Sequence, residues 1–361
     1  MLVLDNQATE AVLTVPDVVR ALEDSYRDLA TGQGICRPRT DLRLPVDDRR
    51  VYQWGTMEGG SARTGYVAIR MKSDILTESG GTQSKYCVEP GRYCGLVLLL
   101  SAHTGEPLAL LNDGLLQHLR VGADSAIGVR HGSRPDAAVL GLLGSGGMAR
   151  SHLEAFRTVR PLERVQVYSP TRAHREAFAA EARERYGLDA VAMDTPEAAH
   201  RGADLVAACT DAVGEVVFGA HLDPGTHVTC IGGRPDARAL ERFDVWLRLG
   251  DATAPDAAPE AATRDEYVIY RAAPEDPVWQ RHRHGHHPRH PPEHVRTVSL
   301  EDVLTGRAAA RQDVDQVTFS ERGNIQGAQF HAVAGLVYER ALERGLGREI
   351  PRDWLLQDIR D

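Results

Sequence analysis

The chain has 361 residues, 42% hydrophobic and 26% charged, with a formal net charge of −9 at pH 7. That length supports two domains with sizeable cores, and the acidic balance excludes a basic nucleic-acid surface. No apolar run reaches transmembrane length, the start MLVLDNQATEAVLTV lacks the basic region of a signal peptide, and five scattered cysteines without a C-x-x-C pair suit a reducing cytoplasm.

Val18, Val19, Leu22, Tyr26 and Leu29 recur at helical spacing and predict an amphipathic helix over 15–30, ended by Gly32. Strands follow at 51–54 and 66–72. In the second, Val67, Ile69 and Met71 alternate with Ala68, Arg70 and Lys72. Segments 96–100 and 107–111 flank a glycine turn at Gly105 and read as a hairpin. A helix over 115–131 leads out of this α+β region with its antiparallel sheet.

At 139–143 an apolar run opens into Gly144-Ser145-Gly146-Gly147-Met148-Ala149, followed by a helical pattern. This is the strand, turn and helix start of a dinucleotide-binding unit in its G-x-G-x-x-A form. Strand patterns at 164–168, 190–193, 204–210 and 227–231 alternate with helical ones, which implies a parallel doubly wound sheet. The fold class is therefore α/β, a Rossmann-type doubly wound parallel sheet plus an α+β domain. The second strand ends Tyr168-Ser169-Pro170-Thr171-Arg172, without the acid that would bind ribose hydroxyls. Ser169 and Thr171 can donate to a 2′-phosphate and Arg172 can pair with it, so NADP(H) is favoured and NAD(H) remains possible. Thr210, ending the strand at 204–210, completes the cofactor set of Gly144, Ser145, Gly146, Gly147, Met148, Ser169, Thr171 and Arg172.

Residues 254–295 read as an Ala- and Pro-rich insertion that runs into a histidine cluster over 281–290. Histidines two to four apart can share a metal. The prolines prevent a helix that would array them, so the segment is read as solvated and no metal is assigned. The insertion can also cover the active-site cleft.

Several motifs occur in a telling order: Arg37-Pro38-Arg39, the run from Gly65 to Lys72, Thr104-Gly105-Glu106-Pro107, Leu119-Arg120-Val121-Gly122-Ala123, and Thr318-Phe319-Ser320-Glu321-Arg322-Gly323-Asn324. Together they resemble the ornithine cyclodeaminase and mu-crystallin superfamily over nearly the whole chain. The resemblance implies a substrate-binding and dimerisation domain over 1–125, completed by 320–361. It implies a nucleotide-binding domain over 126–319, a homodimer and a small carboxylate substrate. Arg39 and Arg120 match the arginines that hold the carboxylate, as guanidinium forks can; Arg37 and Arg43 compete with Arg39 for the role. Lys72 matches the lysine beside the reacting carbon. Near two arginines and a nicotinamide cation its charged form is disfavoured, which suits proton transfer near neutral pH.

One departure bears on the substrate. Relatives end the strand after His227 in two small residues and an aspartate; here the run is Ile231-Gly232-Gly233-Arg234-Pro235-Asp236. Asp236 can replace the missing acid if the loop is rebuilt. Arg234 in the site would repel an amine and welcome an extra carboxylate, which disfavours ornithine. Glu321, Asn324 and Gln326 stand where the family's chain passes the nicotinamide. Glu321 is a candidate acid–base group, and Asn324 is a candidate substrate ligand or a helix cap. The expected activity is NADP(H)-dependent oxidoreduction at a C–N centre, either imine reduction or amino-acid dehydrogenation. The alternatives are a cyclodeaminase-type lyase that releases ammonia with recycled NAD(H), and a non-catalytic NADPH-dependent binder.

Overall fold

Thr14 opens the first long helix: its hydroxyl accepts from the Asp17 N–H, and Pro16 occupies the first turn, where no donor is needed. The helix runs Val15–Ala30. In the computed structural model, which describes residues 1–79, 82–212, 214–252, 267–273, 275–281, 290–357 and 359, Val18, Val19, Leu22 and Tyr26 are all buried.

Among the described residues, ten strands form the first sheet. Its centre is the antiparallel pair Arg50–Ser61 and Tyr66–Ser79, in register from Arg50 opposite Thr77 to Ser61 opposite Tyr66. Arg39–Pro45 flanks the first of these, and Cys94–Ser101 with Pro107–Asn112 the second. Side chains alternate between faces with period two. The face carrying Arg70, Lys72 and Asp74 turns inward, beneath the Gln326–Arg344 helix, whose Phe330, Val333, Ala334 and Val337 are buried. The opposite face is apolar and only partly covered. Ile69, Met71 and Leu98 are half-buried, and Leu42 and Leu44 are exposed.

Among the described residues, the second sheet has eight parallel strands. Its order is Asp189–Ala192, Arg164–Tyr168, Val139–Leu143, Leu205–Ala208, His227–Cys230, Thr318–Glu321, Val245–Arg248 and Arg296–Ser299. The strand Thr318–Glu321 runs past residue 319, so the return to the first domain falls after Glu321. The Gln326–Arg344 helix and the short strand Arg348–Glu349, which pairs with Leu2–Leu4, then complete that domain.

The insertion is not confined to the nucleotide-binding unit. Its strand Tyr267–Arg271 pairs in parallel with Arg39–Pro45, from Tyr267 opposite Arg39 to Arg271 opposite Arg43. Val278 and Trp279 then bury themselves against Val51 and Leu76 of the first sheet. The histidines over 282–289, and with them the metal-loop reading, lie outside the described residues.

The helix Gly114–Gly132 joins the two units. It lies so close to the Gly147–Phe156 helix that a Cβ at Gly122 would run into the Ser151 carbonyl. No described helix is long and apolar enough to cross a membrane. The five cysteines are unbridged.

Candidate active site

Cross-strand rows on the inner face of the first sheet build a polar floor. Asp41, Gly55, Lys72 and Gly95 lie opposite one another, followed by a row of Arg43, Gln53 and Asp74, then one of Val51, Leu76 and Lys85. Directly opposed residues share a face. The glycines flanking Lys72 are required by what lies over them. A Cβ at Gly55 would press on the Asp41 carboxylate and the Arg39 guanidinium, and one at Gly95 would overlap the Asp113 carboxylate. Arg39 Nε donates to Asp41 Oδ1 at 2.7 Å, and Arg43 stands 3.8 Å from Asp41 Oδ2. The Lys72 ammonium pairs with Asp74. Arg39, Asp41, Arg43 and Asp74 are all buried.

Burial disfavours the charged form of Lys72, and the nearby Lys85 and Arg39 add to the effect. Asp74 opposes it, and the ammonium is brought down to about 7. A group poised there exchanges a proton near neutral pH. Lys85 is also lowered, by burial first and Arg39 second.

Arg120 belongs to an adjoining cluster. It donates to Gln329 Oε1 at 2.5 Å and to Gln117 Oε1 at 2.8 Å, and its guanidinium carbon lies 4.8 Å from the centre of the Phe330 ring. Arg70 stacks on the same ring at 5.3 Å and pairs with Asp113 at 2.5 Å. Gln329 Nε2 donates to the Tyr26 oxygen at 2.7 Å, Tyr26 donates to Asp124 at 2.6 Å, and Asp124 accepts from Arg322 Nε at 3.0 Å. Burial, then Arg322 and Arg70, lower Arg120 to about 9, still cationic at neutral pH. The contacts thus join Arg39 to the Lys72 row and Arg120 to Arg70.

At the glycine turn, Gly144 has φ +116°, and its N–H donates to the Tyr168 carbonyl at 2.7 Å. Only glycine takes that φ readily, and a Cβ would also collide with the Cys209 carbonyl. Thr210 therefore sits beside the turn. The ten-residue helix Gly147–Phe156 starts with Gly146 as its cap and Met148 in its first turn, and Gly146 and Gly147 are exposed. A Cβ at Gly146 would meet nothing within 4 Å. An open helix start offers N–H donors and the positive end of the dipole to an anion. Ser145 Oγ bonds Ser169 Oγ at 3.0 Å. This cradle fits the phosphates of a dinucleotide.

Thr171 and Arg172 are exposed at the start of the Arg172–Tyr186 helix, where Arg172 pairs with Glu176 at 2.7 Å. Behind them, Arg175 holds the Ser169 carbonyl at 3.1 Å and Asp194 at 2.8 Å.

Three other candidates are engaged elsewhere, and a fourth lies at the surface. Asp236 Oδ1 caps the Ala237–Arg242 helix, accepting from Ala239 N at 2.7 Å and from Gly219 N at 3.0 Å. Oδ1 is thereby committed to two backbone donors at a helix start. Glu321 Oε2 accepts from Trp246 Nε1 at 2.8 Å and from Arg248 at 2.7 Å, inside the parallel sheet. Asn324 neither caps a helix nor faces the floor, since its amide clasps the Ala252 backbone, accepting at 2.5 Å and donating at 2.9 Å. Arg234 is exposed on the short strand Arg234–Pro235, which pairs with Glu215–Val217.

Asp41, Asp74, Lys85 and Trp279 escaped sequence reasoning. For the first two a signal existed: Arg39-Asp41-Arg43 and Arg70-Lys72-Asp74 place charges at alternate positions, which puts each set on one strand face. His118 also escaped it. Its Nδ1 bonds the Gly114 carbonyl at 2.9 Å, and its Nε2 would lie 2.9 Å from a Cβ at Gly147, beside the open helix start.

The ornithine cyclodeaminase/mu-crystallin family profile matches residues 3–345. The chain is 28% identical over 257 residues to the Delta(1)-pyrroline-2-carboxylate reductase of Bacillus cereus, covering 71% of this chain and 74% of that one. The Thermococcus litoralis Delta(1)-pyrroline-2-carboxylate reductase, solved with NADH and L-proline, shares the fold with a TM-score of 0.74 at 20% identity, over 97% of this chain and 100% of that one. An archaeal alanine dehydrogenase dimer with bound NAD gives 0.74 at 22% identity, over 97% and 99%. Over nearly its whole length, with a dinucleotide cradle in one domain and a cationic floor in the other, the chain belongs to the ornithine cyclodeaminase/mu-crystallin family, whose members are NAD(P)-dependent oxidoreductases and cyclodeaminases.

Proposed function

We propose that the chain reduces the C=N bond of a small carboxylate-bearing imine with NADP(H), or runs the reverse dehydrogenation of an amine. The observation that carries this is Lys72: a half-buried lysine paired with the buried Asp74 and set in the sheet row beside the buried Arg39–Asp41 pair, its ammonium brought down to about 7 mainly by burial. When bound, the nicotinamide supplies or takes a hydride at the substrate carbon. Arg39 holds the carboxylate, and Arg120 is the second arginine assigned to it. The Lys72 ammonium gives its proton to the substrate nitrogen as hydride reaches carbon, so that the C=N bond becomes CH–NH. Asp74 orients the lysine, and Asp41 orients Arg39.

NADP(H) is preferred because no acid ends the Arg164–Tyr168 strand. The exposed Arg172–Glu176 pair is of a kind worth only a few tenths of a kcal/mol, so a 2′-phosphate can take Glu176's place on Arg172. A homodimer is supported by the uncovered apolar face of the first sheet and by the dimer of the related alanine dehydrogenase. The test is NADPH absorbance in the presence of cyclic imines, or of 2-oxo acids with ammonium. Consumption of NADPH with formation of an amino acid supports the reading. Ammonia release from a diamino acid without net NADPH consumption would assign the lyase reaction instead, and binding without either would leave a non-catalytic binder.

A further inference from the structure

We infer that the floor takes a substrate with two carboxylates, and that Lys85, with Arg43, holds the second one. This rests on the proposed reading that Arg39 and Lys72 receive the reacting end. Lys85 lies directly opposite Leu76, on the face that also carries Lys72 and Asp74. Among the described residues no carboxylate comes within ion-pair distance of Lys85, although it is half-buried. Arg43 stands four positions from Arg39 on its strand, about 13 Å along the backbone, but both guanidiniums reach back to the Asp41 carboxylate between them, at 2.7 and 3.8 Å. Because the two guanidiniums converge on Asp41, a short dicarboxylic acid can set one carboxylate at each of them.

The charge balance points the same way. Among the described residues the floor gathers Arg39, Arg43, Lys72 and Lys85 against Asp41 and Asp74. Burial is the main cause of the lowering of Lys72 and Lys85, and the neighbouring cations add to it; a bound dianion offsets that second part more than a monoanion can. The subsite is also closed. Val278 and Trp279 pack on Val51 and Leu76, the neighbours of Lys85 in its row, and form an apolar wall at that end of the floor. The wall limits the length of the substrate and leaves the Lys85 ammonium as the polar group at its foot. Arg234, exposed on its short strand, is not needed for the second anion.

Calorimetric titration of the full chain loaded with NADPH, using glutarate, succinate and butyrate as probes, tests this. Glutarate or succinate should bind at least about tenfold more tightly than butyrate, the scale of one added charge-assisted contact. Lys85→Met should remove most of that advantage and Lys85→Arg should keep it, which separates loss of charge from loss of fold. Equal affinities for all three probes in the unaltered protein would overturn the inference, even if neither variant folds. Turnover distinguishes it from the reading beneath it. If dicarboxylates bind in a Lys85-dependent way but no imine is reduced, the subsite stands and the reaction falls. If the imines of pyruvate and of 2-oxoglutarate are reduced equally well, and Lys85→Met changes neither, the reaction stands and the subsite falls.

Discussion

At Lys72, burial and two nearby cations outweigh the carboxylate of Asp74, so the side chain loses its proton near pH 7. The sign of the pH dependence follows. Imine reduction needs the protonated form, so kcat should fall as pH rises through about 7; the reverse dehydrogenation needs the neutral amine and should rise over the same range. Lys72→Met should lower kcat by roughly a hundredfold and abolish that limb, while the NADPH dissociation constant stays within about twofold because the lysine lies in the other domain. An unaltered profile in the variant would remove Lys72 from the proton path. Arg172 provides a second prediction. In the unaltered protein NADPH should bind about tenfold more tightly than NADH, and Arg172→Ala should erase most of the difference; equal affinities before mutation would refute the cofactor assignment. Asp236 makes the opposite kind of residue. As a helix cap bonded to two backbone donors, its replacement by Ala should cost about 1–2 kcal/mol of stability, seen as a lowered Tm, without loss of kcat in the folded fraction. A large loss of kcat at unchanged Tm would return Asp236 to the chemistry.

At the level of elements, much was legible. The helix Val15–Ala30, the strand Val139–Leu143 and the glycine turn carry local signals: an apolar stripe, a cap and a residue that must adopt positive φ. The parallel sheet followed from alternation of strand and helix. What was not legible depends on pairing between distant segments. Nothing local in Tyr267–Arg271 says that it leaves the nucleotide-binding unit to lie beside Arg39–Pro45. Glu321 looks like a free acid in sequence because its partners, Trp246 and Arg248, come from a strand more than seventy residues away that only the sheet brings alongside. Asn324 fits a cap pattern, but its amide meets the Ala252 backbone first. The sheet's two faces also needed the structure. Period two separates Arg70 and Lys72 from Ile69 and Met71, but only the overlying Gln326–Arg344 helix shows that the charged set is the inner one. The apolar outer face then calls for cover. Met71→Glu should break a homodimer built on it, halving the mass measured by light scattering; a protein that is monomeric without mutation, or a variant that stays dimeric, would refute that surface as the interface.

At the scale of the whole molecule, the chain visits the first domain, builds the second, and returns. Leu2–Leu4 pairs with both Pro107–Asn112 and Arg348–Glu349, so the two ends of the path meet in one sheet. The helix Gly114–Gly132 and the buried chain of bonds from Arg120 through Asp124 to Arg322 hold the outgoing and returning segments together. The same helix carries Arg120 and sets His118 beside Gly147 at the start of the nucleotide-binding helix, which links the two units.

The late return has a consequence for the order of assembly during synthesis. The helix that covers Arg70, Gln326–Arg344, is synthesised after every described strand of the two large sheets except Arg348–Glu349. Until it arrives, Arg70 lacks the Phe330 ring that it meets in the folded chain. The parallel sheet, whose strands span 139–321, is available to fold first. The chain can therefore complete its cofactor cradle before Phe330 closes over Arg70 and Arg120.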